Sequence, residues 1–118
     1  MLLKDYPVVL PDYILTLEEL SPENCLFFDI ETTGLSWKTS HLSLLGAVFY
    51  ENETWIHRQW FCQKPGEEKE VLLAFSELLS TKKLLFHYNG TTFDVPYLMH
   101  KYTFYQLPAP WEGTRQLD

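Results

Sequence analysis

The stretch Phe27-Phe28-Asp29-Ile30-Glu31-Thr32-Thr33-Gly34-Leu35 places two carboxylates in an otherwise apolar run. Leu26, Phe27, Phe28 and Ile30 have the pattern of a short buried β-strand, and Thr32-Thr33-Gly34 supplies the turn that ends it. Side chains alternate along a strand, so Asp29 and Glu31 share one face, about 6.5–7 Å apart along the backbone. Two like charges on a largely buried strand are costly unless cations neutralise them. Hard divalent ions take oxygen ligands, and a pair of them about 3.5–4 Å apart makes a phosphoryl-transfer centre. The stretch therefore points to chemistry as well as to fold.

The rest of the chain bounds that reading. A length of 118 residues suits one domain, and 46% hydrophobic with 16% aromatic residues suits a packed core over a disordered chain. The net charge of -7 argues against a broad electrostatic footprint on nucleic acid. It is compatible with a short strand held in an acidic cleft loaded with cations. Lys82, Lys83, Lys101 and Arg115 are candidates for a small basic rim, with solvated surface as the plainer reading. Cys25 and Cys62 match no metal or redox spacing and read as small core hydrophobes in a reducing, cytoplasmic setting. Asp5, Pro7 and Pro11 break any leader-like apolar run, and no stretch approaches the ~20 apolar residues of a membrane span. The expectation is a cytoplasmic protein with no membrane partner.

Along the chain, residues 1–24 read as an irregular segment punctuated by Pro7, Pro11 and Pro22, with a short helical turn near Thr16–Leu20. Residues 25–118 read as the folded domain. Strands are expected over about Cys25–Glu31, Leu42–Tyr50 and Thr54–Cys62, the last two joined by a hairpin turn at Glu51-Asn52-Glu53. Glu67–Ser80 is the clearest helix, because Val71, Leu72, Phe75, Leu78 and Leu79 recur at three- and four-residue steps. Glu67, Glu68 and Glu70 fall in its first turns, where the helix dipole favours negative charge. Leu84–His87 is a short strand, and a second helix runs from near Thr92 to about Phe104, with Pro96 in its first turns. The order β-β-β-α-β-α predicts a mixed sheet flanked by helices in an α/β layer arrangement.

Asp94 follows the last strand and turn, near a helix start, where its carboxylate can project over the end of the sheet toward Asp29 and Glu31. Read alone, an Asp in that position is a cap or dipole partner. Together the two segments resemble a known family. Phe28-Asp29-Ile30-Glu31-Thr32-Thr33-Gly34-Leu35 looks like the first motif of the DEDD exonucleases, whose fold is ribonuclease H-like. Asn89-Gly90-Thr91-Thr92-Phe93-Asp94 resembles their second motif, and the longer run from His87 to Leu98 is most similar to the bacterial YprB-like branch.

The resemblance implies a ribonuclease H-like mixed sheet and 3′→5′ exonuclease activity on DNA or RNA. It implies Asp29, Glu31 and Asp94 as ligands of two Mg²⁺ or Mn²⁺ ions. Asp29 would bridge both ions, with Glu31 on one and Asp94 on the other, largely through water. It further implies that Thr32, Thr33, Gly34 and Leu35 receive the terminal nucleotide of a single-stranded 3′ end, with Asn89 near the strand. The family's last motif, a fourth Asp preceded by a Tyr or His base, has no counterpart before Asp118. The expectation is therefore a domain truncated or degenerate at its C-terminus, with exposed apolar surface that could drive self-association. The alternative is a non-catalytic ribonuclease H-like domain that binds nucleic acid or serves assembly.

Overall fold

A computed structural model describes residues 1–9, 21–87 and 93–117. The elements run β1 (Leu2–Val8), β2 (Cys25–Thr32), β3 (Leu42–Glu51), β4 (Thr54–Phe61), α1 (Glu68–Leu79), β5 (Leu84–Phe86), α2 (Asp94–Phe104) and β6 (Arg115–Leu117), with 3-10 turns at Pro22–Asn24 and Pro65–Glu67. One mixed sheet has the strand order β1-β4-β3-β2-β5-β6. β1 to β4 pair antiparallel, whereas β5 pairs parallel to β2 and β6 parallel to β5. The expected α/β layer architecture is present.

Local sequence explains most of it. The turn between β3 and β4 puts Asn52 and Glu53 at φ of 52° and 64°, the left-handed conformation that a two-residue hairpin requires. On β2 the two-residue period sends Leu26 and Phe28 into the core, where Phe28 meets Phe75 of α1 at a ring separation of 5.5 Å. Trp60 of β4 meets the same Phe75 edge-on. Burying each such aromatic stabilises the fold by roughly 1.5–3 kcal/mol. α1 presents Val71, Leu72, Phe75 and Leu79 to this core, and α2 adds Val95, Leu98 and Tyr102. The Tyr102 hydroxyl donates to the Leu72 carbonyl, which ties the two helices together. On the opposite face of the sheet the ring contacts are between strand residues, as where Phe27 stacks on Phe86 and meets Trp55. No helix among the described residues is long and apolar enough to cross a membrane.

The N-terminal segment departs from expectation. Leu2–Val8 is a strand, not irregular chain, held along its full length by β4 and by the ion pair of Asp5 with Arg58 at 2.8 Å. As an edge strand it is bonded on one side only, so its exposed Lys4 and Asp5 and its Pro7 are tolerated. The helical turn expected near Thr16–Leu20 lies outside the described residues. α1 begins at Glu68 after a 3-10 turn, and α2 begins at Asp94, two residues later than expected. Lys101 belongs to no basic rim, because it is buried.

Candidate functional site

Asp29 and Glu31 both lie on the exposed side of β2, as their spacing requires. Across the sheet, Asp29 stands opposite Gly46 of β3. A Cβ at position 46 would lie 2.9 Å from Asp29 Oδ1 and 3.2 Å from His57 Nε2. Only glycine leaves room there for the carboxylate and the imidazole to converge over β3. Between Glu31 and Thr32 the ladder to β3 slips by a residue, so the strand bends just past the second carboxylate.

Asp94 opens α2 beside β2. Among the described residues the pairing of β2 with β5 stops at Phe27 and Phe86, short of Asp29 and Ile30. There the Ile30 N–H donates to the Asp94 carboxylate. Burial raises the pKa of Asp94 above its ordinary value, the negative charge of Asp29 pushes it the same way, and the Ile30 hydrogen bond and nearby His87 oppose them. Asp29 and Asp94 are thus close enough to repel each other. His87, just past β5, packs edge-on against Phe28 beneath them.

The segment from Thr32 to His41 is braced from several directions. Thr32 Oγ1 donates to the Gly34 carbonyl at 2.7 Å, and Thr33 and His41 exchange two hydrogen bonds. Leu35 projects at the tip, 88% exposed. Buried Lys101 of α2 donates to the Ser40 carbonyl and pairs with Glu68 at 3.0 Å. Glu68 also accepts from the Leu42 N–H and the Tyr105 hydroxyl. Glu68 is therefore more than a dipole partner at a helix start. Sequence reasoning missed it because its partners lie 26 to 37 positions away.

Asp29 and Asp94 come together and Glu31 lies two residues along the same strand face. Among the described residues, no three His, Cys, Asp or Glu side chains converge closely enough to hold a metal ion. Carboxylate oxygens suit a hard divalent cation, and Asp29 lies within electrostatic reach of Asp94. Asn89 falls outside the described residues. His57 was not singled out by the sequence, and its one signal was Gly46 inside an apolar strand.

Residues 26–118 match a family model, RNase_H_2, described as RNase_H superfamily. No curated protein matches the chain. The family B DNA polymerase from the hyperthermophilic archaeon Pyrobaculum calidifontis is similar in fold, with a TM-score of 0.66 and 16% identity over 83% of this chain and 15% of the polymerase. E. coli Exonuclease I, solved in complex with a dA16 oligonucleotide, gives 0.56 and 16% identity over 80% of this chain and 27% of its own. Both likenesses are of fold. This chain spans well under a third of either protein.

Proposed function

The chain belongs to the RNase H superfamily, and on that premise we propose that it is a divalent-metal-dependent 3′→5′ exonuclease acting on single-stranded ends of DNA or RNA. The observation that carries the reading is the nearness of Asp29 to Asp94 at the end of the sheet, on residues that resemble both DEDD-type motifs. Asp29, Glu31 and Asp94 would hold Mg²⁺ or Mn²⁺. Bound there, the ions supply an activated water and stabilise a leaving 3′-oxygen. The chain's own part is to hold Asp94 by the Ile30 N–H, to give Asp29 room over Gly46, and to present Thr32, Thr33, Gly34 and Leu35 to the terminal nucleotide.

The test is a 5′-labelled oligonucleotide, as DNA and as RNA, incubated with Mn²⁺ and followed for a ladder of shortened products. The ladder is expected with the natural sequence and absent with Asp94→Asn. A second reading, a nucleic-acid-binding or assembly domain without catalysis, is favoured by the failure of three acids to converge among the described residues. Binding without any ladder, with or without Mn²⁺, would select it.

A further inference from the structure

A cavity of about 370 Å³ opens between the 33–41 loop and the C-terminal half of α2. Its lining mixes aromatic and cationic groups, namely Trp37, Lys38, His41, Lys101, Phe104 and Tyr105, with Glu68 as the acid. Glu68 is neutralised by Lys101, so Lys38 remains as an unopposed charge in a chain of net charge -7. Trp37 is held in place. His100 lies flat against its ring at 5.0 Å and an interplanar angle of 5°, Phe104 meets it at 6.2 Å, and Lys38 Nζ hovers 5.9 Å from its centre. Trp37 is also the one tryptophan of the four that is not buried, and Phe104 is 63% exposed. Fixed ring faces beside a cation are what single-stranded nucleic acid stacks and rests upon.

We propose that this cavity is a stacking subsite for single-stranded nucleic acid upstream of its 3′ end, which rests on the exonuclease reading above. Two turns of α2 separate Asp94 from Lys101, about 10 Å. A strand whose end sits at Asp29 and Asp94 would reach the cavity within its first few nucleotides. Phe104, packed on Trp37, offers a π-face to a base, and Lys38 an ammonium to a phosphate. The Glu68–Lys101 pair forms a rigid floor that fixes loop and helix relative to each other.

The test is fluorescence anisotropy with 5′-fluorescein oligothymidylates of six and two nucleotides, carrying phosphorothioate linkages that resist cleavage, in the presence of Mn²⁺. Phe104→Ala is expected to weaken hexanucleotide binding about tenfold. Its effect on the dinucleotide should stay under twofold. Lys38→Ala should weaken the hexanucleotide and lower the salt dependence by about one ion. Both are surface positions, so folding is not at stake. Variants that bind the hexanucleotide as the natural sequence does would overturn the proposal, as would a natural chain that binds six nucleotides no better than two. A cleavage ladder with unchanged binding in the variants sinks the subsite alone. Length-dependent binding lost in the variants, without any ladder, sinks the exonuclease reading and keeps the subsite.

Discussion

Asp29 lies so close over Gly46 that a single methyl group on the glycine would stand 2.9 Å from its carboxylate oxygen. The contact is set by strand register and gives Gly46 a role no local turn demands. Gly46→Ala is expected to fold with little loss of stability, because the added methyl meets only the tips of the Asp29 and His57 side chains, which can turn aside. Its Mn²⁺ affinity, read by calorimetry, should fall about tenfold as Asp29 is displaced. An unchanged affinity would remove Asp29 from the ligand set.

Asp94 carries a carboxylate that burial and Asp29 make reluctant to ionise. The folded state therefore binds this proton more tightly than the unfolded chain does. Its favourable contribution is complete below the ordinary value of 3.8 and is lost as pH rises through the raised folded value. Asp94→Asn, which cannot ionise and can still accept from Ile30, should raise Tm at pH 7 by roughly 2–5 °C. Thermal melts at pH 3.5 should show no such gain. A variant melting below the natural chain at neutral pH would mean that other contacts of Asp94 outweigh its charge.

Lys101 and Glu68 are an ion pair with both side chains almost wholly buried. Removing one partner strands the other, so Lys101→Met should cost about 3–5 kcal/mol in urea unfolding. Adding Glu68→Gln to it should recover part of that loss. If the single variant is as stable as the natural chain, the pair does not brace the 33–41 loop.

Cys62 is buried near Glu67 and Glu68, and burial first and those carboxylates second push its thiol up to about 11. The folded state thus favours the protonated thiol. Stability from this group is complete below pH 9 and is lost as pH climbs toward 11. Iodoacetamide at pH 8 should leave Cys62 unmodified in the native protein and label it in urea, with mass spectrometry as the readout. Rapid native labelling would contradict its burial.

Much of this was legible in residue order because it rests on short periods. A two-residue step put Asp29 and Glu31 on one face and Leu26 and Phe28 on the other. Three- and four-residue steps gave α1, and Asn52 marked the hairpin. What escaped notice depends on distant residues. β1 was missed because an edge strand bonded on one side needs no apolar alternation, and Lys4, Asp5 and Pro7 hide it. Glu68 looked like a helix-start acid until Lys101 and the Leu42 N–H came into reach. The place of Gly46 and His57 beside Asp29 follows only from the pairing of three strands.

The hairpin of β3 and β4 also favours an order of assembly. Its two-residue turn lets Glu51 and Thr54 meet with almost no loop to close, whereas β1 reaches β4 across some fifty positions and β5 reaches β2 across nearly sixty. Glu53 sits at a φ of 64° that glycine would adopt without strain, so Glu53→Gly is expected to speed refolding in stopped-flow traces more than it slows unfolding. The outer strands, and with them the setting of Asp94 against Asp29, are expected to assemble last. On that order, the carboxylates that repel one another would meet only once the centre of the sheet is there to hold them together.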